Sequence, residues 1–316
     1  MFKKSLFTLL TTIVVGHVFL SCEKAVIDDV DDSGSKTSNV TIRVSDIEAG
    51  WTGGWAGSYT RAMVSVAEVC SRLCFAVYQN GTRIKSKNQT TTDSDFGEFS
   101  LDLESGSYQV LVLAHSGNSN PTTTHPDKLQ FTNPDSSGGT GFTDTFYYYS
   151  DMEVTGEKTQ LDINLKRATS MFRLTTSDPK PANIKKFQFY YEGGSGTLDA
   201  TTGFGCVKSK QSVMVNLNDS QTGQPLQFDM FTFLHDETGK VSFTVKAFNA
   251  NEDIVYTKEF NDVPMQRNCI TQYTGKFFVN DNPDVTPDDP TIDPDEPSTV
   301  KIMVDPEWTT VYDYTF

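Results

Sequence analysis

The stretch FGEFSLDLESGSYQVLVLA, residues 96–114, decides the fold class. In its first part apolar and polar residues alternate, so Phe99, Leu101 and Leu103 share one face of a strand. A turn at residues 104–106 leads into the run VLVLA, which is apolar at every position and typical of a central strand. These are strand patterns joined by a turn. The stretch therefore predicts a β-sheet protein.

Similar patterns continue on both sides of this stretch. VTIRV at 40–44 alternates strictly, the pair Asn80-Gly81 predicts a hairpin turn, and LDINLK at 161–166 alternates again. Residues 63–74 instead show helical spacing, and we predict a short helix there. Further candidate strands follow at spacings typical of a β-sandwich: SMFRLTT (170–176), IKKFQFYY (184–191), SVMVNL (212–217), FDMFTFL (228–234), VSFTVKAF (241–248), DIVYTKEF (253–260) and TQYTGKFFV (271–279).

The length predicts two domains of ordinary size. The chain has 316 residues, and its 22 Phe and 12 Tyr supply enough apolar area for two cores. We predict an N-terminal β-sandwich over residues 39–167 and a C-terminal β-sandwich over residues 168–280.

The first 22 residues, MFKKSLFTLLTTIVVGHVFLSC, indicate export and lipid attachment. Two lysines precede an apolar run, which is the layout of a secretory signal. A plain signal peptide or a single membrane helix are the alternatives, but a membrane span needs about 20 apolar residues and this run is shorter. The run ends at Leu20-Ser21-Cys22, which resembles the lipobox of bacterial lipoproteins. We predict a signal peptide at 1–21, a lipidated Cys22 and a flexible tether at 22–38.

The charge excludes nucleic acid as a partner. Loss of residues 1–21 removes two lysines and leaves 24 basic and 41 acidic residues, a net charge of −17. A chain this acidic repels a phosphate backbone.

Four cysteines remain beyond Cys22, and their disulfide state stays open. Cys70 and Cys74 would lie about 13 Å apart in an extended strand, whereas a disulfide needs Cα atoms within about 7 Å. Either buried free thiols or one long-range disulfide involving Cys206 or Cys269 is consistent with the sequence.

The last part of the chain contains a linker followed by a further strand. Residues 281–297 hold five prolines and seven acidic residues, so this segment cannot fold alone and reaches roughly 50 Å when extended. In residues 298–316, Val300, Ile302 and Val304 alternate with polar or flexible residues. We predict that these three residues belong to a donor strand that completes a sheet edge, in the same molecule or in a neighbour.

No motif indicates catalysis, a cofactor or a metal site. His115, His125 and His235 lie in no zinc or nucleophile motif, and we predict that they are surface or loop residues. Residues 193–196, GGSG, lack the last glycine of a GxSxG nucleophile motif because Thr197 occupies that position. We expect no enzymatic activity.

Five segments of the chain form a recognisable framework: LCFAVYQNGTRI (73–84), FGEFSLDLESGSYQVLVLAHS (96–116), TDTFYYYSDMEV (143–154), FQFYYEGGSGTLDATTGFG (187–205) and EFNDVPMQRNCITQYTGKFF (259–278). These segments resemble the Bacteroidales fimbrial lipoprotein family, which includes FimB-type fimbrial anchors and fimbrillin-like proteins. The resemblance implies two tandem transthyretin-like Greek-key β-sandwich domains, lipid attachment, display on the cell outer membrane and a place in a fimbrium.

The resemblance leaves the role within the fimbrium open. Shaft subunits of such families are cut after an arginine, and Arg43 and Arg61 are the candidate processing sites here. An anchor would keep its lipid. Other fimbrial subunits are the expected partners through strand addition, and a host surface or a glycan is a further candidate.

The alternative function is a surface lipoprotein that captures glycans for nutrient uptake. Its candidate sugar-binding residues are aromatic: Trp51, Trp55, Trp308 and the run Tyr147-Tyr148-Tyr149.

Overall fold

The computed structural model describes residues 39–53, 59–133, 139–279, 301–303 and 310–316. The predicted signal peptide at 1–21, the lipidation site Cys22, the tether at 22–38 and the linker at 281–297 lie outside the described residues. We call residues 39–167 the N-terminal half, and the described residues from 168 onward the C-terminal half.

The described residues of the N-terminal half form nine strands and one helix of four residues. In chain order they are β1 (Val40–Gly53), β2 (Tyr59–Val64), α1 (Val66–Val69), β3 (Arg72–Gln79), β4 (Thr82–Thr90), β5 (Glu98–Leu101), β6 (Gly106–His115), β7 (Leu129–Gln130), β8 (Thr145–Val154) and β9 (Thr159–Arg167).

The described C-terminal half contains eleven strands and one short 3-10 turn, Asp219–Gln221. The strands are β10 (Ser170–Thr176), β11 (Lys186–Glu192), β12 (Thr197–Asp199), β13 (Phe204–Gly205), β14 (Gln211–Asn216), β15 (Gln227–Thr232), β16 (Thr238–Phe248), β17 (Ile254–Gln266), β18 (Cys269–Gly275), β19 (Lys301–Met303) and β20 (Thr310–Thr315).

One folded-over sheet builds the N-terminal half. Its strand order is β2-β1-β9-β8-β6-β3-β4, and β5 pairs with β1. The β1, β5 and β9 end and the β3, β6 and β8 end bury their side chains in a common core. The run Val110–Ala114 in β6 has no exposed surface at all. Burial of each large apolar side chain contributes about 1.5–3 kcal/mol, which explains why an uninterrupted apolar run forms this central strand.

Two facing sheets build the C-terminal half. The orders are β15-β10-β18-β20-β19 and β14-β11-β16-β17. An aromatic core lies between them, in which the rings of Phe172 and Phe243 stack with centroids 4.0 Å apart. The period-two pattern of VSFTVKAF becomes β16, with Val241, Phe243, Val245 and Ala247 all buried. The predicted all-β sandwich fold is confirmed.

A third cluster of buried residues joins the two halves. From the N-terminal half, the cluster contains side chains on the second face of β3 and β6. From the C-terminal half, it contains side chains in β12 and next to β15. The small sheet β13-β12-β7 also spans the junction. Contacts group residues 38–316 into one compact unit. The residues before the predicted boundary and those after it build different main cores. The division into two separate domains stays a prediction.

A buried ion pair reinforces this junction. The side chain of Arg167 is 1% exposed, and its Nε donates to both carboxylate oxygens of Asp144, at 2.9 and 3.0 Å. Its Nη1 donates to Asn268 Oδ1 at 2.7 Å, and its guanidinium lies 4.7 Å from the centroid of the Phe146 ring. Arg167 therefore links β9 of the N-terminal half to the turn before β18.

Two local expectations meet different outcomes. Asn80 and Gly81 have φ of 53° and 76° and connect β3 to β4, so the predicted hairpin turn is confirmed. The helix predicted over 63–74 is reduced to Val66–Val69, because strands β2 and β3 take the residues on either side.

Candidate functional site

The segment beyond residue 300 forms one end of the β15-β10-β18-β20-β19 sheet, where it supplies β20 and the edge strand β19. Strand β20 lies parallel to β18, with Cys269 opposite Thr310 and Thr274 opposite Thr315. Strand β19 then pairs antiparallel with β20. We call the edge of β18 that receives β20 the docking edge. A segment distant in sequence thus completes the sheet through backbone hydrogen bonds.

The predicted donor strand takes the outer position in this arrangement. Ile302 lies in β19 and is paired with Tyr312, ten residues downstream, while Val300 and Val304 lie outside the described residues. The strand that contacts the docking edge is β20. Its signal in the sequence is the alternation of Tyr312, Tyr314 and Phe316, which the prediction of a strand at Val300, Ile302 and Val304 misses.

Aromatic side chains anchor β20 on the docking edge. The ring of Tyr314 stacks on that of Tyr273 with centroids 4.9 Å apart, and the ring of Phe316 meets that of Phe260 edge-on at 5.0 Å. Burial, and then the neighbouring Tyr314, raise the pKa of Tyr273. Aromatic pairs of this geometry contribute about 0.5–1.5 kcal/mol each beyond the area they bury. The side chains therefore fix the register that the backbone pairing alone would leave free.

Polar contacts hold the opposite face of β20. The carboxylate Oδ1 of Asp313 accepts hydrogen bonds from Gln272 Nε2 and Thr274 Oγ1, each at 3.5 Å. The backbone N–H of Phe316 donates to the carbonyl of Thr274 at 3.1 Å. Inward aromatic and outward polar residues alternate, as in a strand buried on one face.

Gly275 makes the close approach of β20 to the docking edge sterically feasible. A Cβ at this position would lie 2.7 Å from the carbonyl carbon of Phe316, and still closer to its oxygen. Real Cβ atoms essentially never come within 3.0 Å of such neighbours. The absence of a side chain at Gly275 is therefore a requirement of the docked strand.

The candidate processing sites occupy different positions in the sheet. Arg43 lies in β1 between β5 and β9, and its Nε donates to Glu98 Oε2 at 3.0 Å. Arg61 lies in β2, where it is opposite Trp51, at the edge of the sheet. A protease binds an extended chain, so β1 would have to leave the sheet before cleavage at Arg43, whereas β2 is the last strand at its end of the described sheet. Cleavage at either residue stays a prediction.

None of the four described cysteines forms a disulfide with another described cysteine. Cys70, Cys74 and Cys269 are buried and pack as small apolar side chains, whereas Cys206 is exposed. Burial raises the pKa of Cys74 to about 12 and also raises that of Cys70. The thiols of Cys70 and Cys74 are therefore protonated and unreactive at neutral pH.

The tyrosine run proposed for sugar stacking does not form a single platform. Tyr147 and Tyr149 pack on the cluster between the halves, while Tyr148 packs on the N-terminal core. All three are half-buried, and they pack on different clusters because successive residues of β8 point to opposite faces. The side chains of Trp51, Trp55 and Trp308 lie outside the described residues.

The prediction that His115 is a surface or loop residue is wrong. It ends β6 and is fully buried. Its Nδ1 accepts a hydrogen bond from the N–H of Gly117 at 3.1 Å, and its Nε2 lies 3.9 Å from Cys74 Sγ. Burial, and then the positive charge of Arg72, lower the pKa of His115 to about 4, against a hydrogen bond with Asn120 that raises it. The ring is therefore neutral at pH 7.

We expect His115 to destabilise the protein in acid. The pKa of this residue in the unfolded chain is near 6.5, so above pH 6.5 it is neutral in both states and does not reduce the free energy of unfolding. Between pH 6.5 and about 4 the unfolded chain binds the proton first, so the free energy of unfolding falls as the pH decreases. The loss should reach about 3 kcal/mol. Urea unfolding at pH 7 and pH 4 measures it. The loss of stability should be smaller in His115→Gln. It should remain in the control His125→Gln, which alters an exposed histidine. Equal losses in the wild type and both variants would contradict the role of His115.

Within the described part of the chain, no helix is long and apolar enough to cross a membrane.

Comparison with known proteins places the chain in a family. Residues 33–311 match the model of a family of unknown function, DUF6562. The chain belongs to this family. No curated protein matches this chain.

Three solved structures are similar to this DUF6562 protein. An adhesin candidate from Bacteroides ovatus is 13% identical, with 71% of this chain and 82% of that chain covered and a TM-score of 0.47. The fimbrial anchor protein Mfa2 from Porphyromonas gingivalis is 15% identical, with coverages of 69% and 80% and a TM-score of 0.36. A fimbrial assembly protein from Parabacteroides distasonis is 11% identical, with coverages of 75% and 89% and a TM-score of 0.35.

Proposed function

We propose that the protein is a lipid-anchored fimbrial subunit or anchor that assembles by β-strand addition and takes part in adhesion. The observation that carries the proposal is strand β20 on the docking edge. It follows a Pro/Asp-rich linker in sequence and pairs in parallel with β18, a strand from a different part of the chain. The proposal is of a structural protein without catalytic activity.

The way in which β20 is held supports the proposal of strand addition. Backbone pairing supplies the affinity, and two aromatic anchors on alternate positions supply the register. Both kinds of contact depend on the local sequence of β20 and not on which molecule it belongs to. An identical strand from a neighbouring subunit can therefore take the same place, with the linker spanning the gap between subunits.

The membrane part of the proposal rests on the N-terminal segment. Cys22 would carry the lipid and hold the protein at the outer membrane, surface-exposed, with residues 22–38 as a tether. Other fimbrial subunits would be its partners through the docking edge.

We expect Cys22→Ser to abolish lipid attachment, because the thiol is the acylated group. Cells carrying the wild-type gene, the Cys22→Ser gene or no gene are labelled with radioactive palmitate, fractionated and imaged by electron microscopy. The wild type should be labelled, lie in the outer-membrane fraction and accompany surface filaments. The variant should lose the label and the membrane association.

Two results would count against this assignment. Retained label in Cys22→Ser would show that the lipid is elsewhere. Filaments of normal number and length in cells without the gene would remove the fimbrial role. N-terminal sequencing separates the roles within the fimbrium: a blocked Cys22 indicates an anchor, and a free terminus at Val44 or Ala62 indicates a processed shaft subunit.

A further inference from the structure

A cleft of about 510 Å³ on the C-terminal half is lined by an excess of positive charge. Lys208 and Lys210 approach it from the loop before β14, and Lys240 approaches it from β16. Two carboxylates, Glu192 and Asp262, also line it. The protein as a whole carries a net charge of −15, so a site where lysines outnumber carboxylates departs from its general surface.

Two of these lysines have no acidic partner within the residues that the structure describes. Lys210 Nζ lies 3.6 Å from Glu192 Oε2, at ion-pair distance. Neither Lys208 nor Lys240 has a carboxylate at that distance among the described residues. Lys210 offsets Glu192, and Lys208 and Lys240 together leave one positive charge in excess of Asp262, which favours an anionic group in the cleft.

The other lining groups provide hydrogen bonds to a polar ligand. The N–H of Asp262 donates to Ser242 Oγ at 3.1 Å, so this serine still has its own hydrogen to donate. His235 Nδ1 donates to the carbonyl of Gly205 at 2.8 Å, which orients the ring and leaves Nε2 as an acceptor in its neutral form. The Asp262 carboxylate is a further acceptor.

We propose that this cleft binds a sugar that carries a carboxylate. Lys208 and Lys240 would pair with the carboxylate, and Ser242, His235 and Asp262 would exchange hydrogen bonds with the hydroxyl groups. A plain inorganic anion fits less well, because it lacks the several alcohol hydroxyl groups with which a sugar can donate hydrogen bonds to Glu192 and Asp262. The volume lies within the range of small-ligand sites, about 300–1,000 Å³.

The proposed site is independent of strand addition. None of the residues named as lining the cleft belongs to β18 or β20, so an isolated subunit should bind the sugar as well as an assembled one. The adhesive and the assembly functions can therefore be tested separately.

Isothermal titration calorimetry on the full chain tests the proposal. The probes are a disaccharide containing glucuronic acid, the same disaccharide with its carboxylate reduced to an alcohol, and inorganic phosphate. We expect the acidic disaccharide to bind at least tenfold more tightly than either of the others. The double variant Lys208→Ala, Lys240→Ala should bind it at least tenfold more weakly, and Ser242→Ala should weaken it without a change in charge.

Lys166→Ala is the matched control, because Lys166 is exposed on β9 of the other half. It should bind as the wild type does. Absence of binding of the acidic disaccharide at millimolar concentration would overturn the proposal. Equal affinity for phosphate would show an unspecific anion site, and undiminished binding by the double lysine variant would place the ligand elsewhere; either result rejects the assignment.

Discussion

Gly275→Ala is expected to release strand β20 from the docking edge. The new methyl group would lie 2.7 Å from the Phe316 carbonyl carbon and closer to the oxygen, so the last residues must move away by more than an ångström. That movement breaks the hydrogen bond from Phe316 N–H to the Thr274 carbonyl and separates the Phe316 ring from Phe260. Hydrogen exchange of the amides of residues 310–316 should approach the rate of an unfolded peptide.

The rest of the C-terminal half should stay protected in this variant, because its core lies between β10, β11, β15 and β16. Gly239→Ala is the control, since a Cβ there would meet its nearest neighbour, Leu234, at 3.4 Å, an ordinary contact. Gly239→Ala should leave the exchange of residues 310–316 unchanged. Full protection of these amides in Gly275→Ala would show that β20 docks in another way.

Arg167→Ala should destabilise the protein by about 3–5 kcal/mol. The substitution leaves the Asp144 carboxylate partly buried without its cation and removes the link to Asn268. A buried charge that loses its partner costs more than the ion pair itself contributes. Denaturant unfolding followed by circular dichroism measures the free energy.

Arg43→Ala is the matched control for Arg167→Ala. The Arg43–Glu98 pair is also an arginine–carboxylate pair, but its side chains are 47% and 42% exposed. Its removal should cost less than about 1 kcal/mol. Similar losses in the two variants would contradict the structural role of the Arg167–Asp144 pair at the junction.

The strands of this fold could be predicted because their signal is local. The Asn80-Gly81 turn and the alternation in VSFTVKAF each depend on residues that are neighbours in sequence, and both form as predicted. Residues 96–114 also form two strands, β5 and β6, but these do not pair with each other: β5 pairs with β1, and β6 pairs with β3 and β8. Periodicity predicts the elements, whereas pairing depends on contacts across the chain.

Buried polar residues could not be predicted in the same way. Arg167 continues the inward alternation of Ile163 and Leu165, at a position where the pattern calls for an apolar residue. Its partner Asp144 is 23 residues away. His115 likewise ends an apolar strand that is buried on both faces. In both cases the residue type suggests exposure, and only the tertiary structure supplies the partner that makes burial feasible.

The sequence predicted that a terminal strand docks, but it did not predict where. The long linker and the alternating strand after it indicated that a terminal strand completes a sheet edge. The docking partner β18 and the requirement for Gly275 both depend on a parallel pairing between residues about forty positions apart. No local pattern encodes such a pairing.

Cross-linking between subunits tests the central claim, strand addition, most directly. Gln272 and Asp313 are opposite each other in β18 and β20, close enough for a disulfide between cysteines at these positions. In a Cys206→Ser background, chains carrying Gln272→Cys are co-expressed with chains carrying Asp313→Cys, and surface filaments are analysed on non-reducing gels. Strand addition predicts disulfide-linked pairs of the two chains, lost when Gly275→Ala is added. If the co-expressed chains stay monomeric while the double variant forms a disulfide within one chain, β20 serves its own molecule alone and the proposed assembly is contradicted.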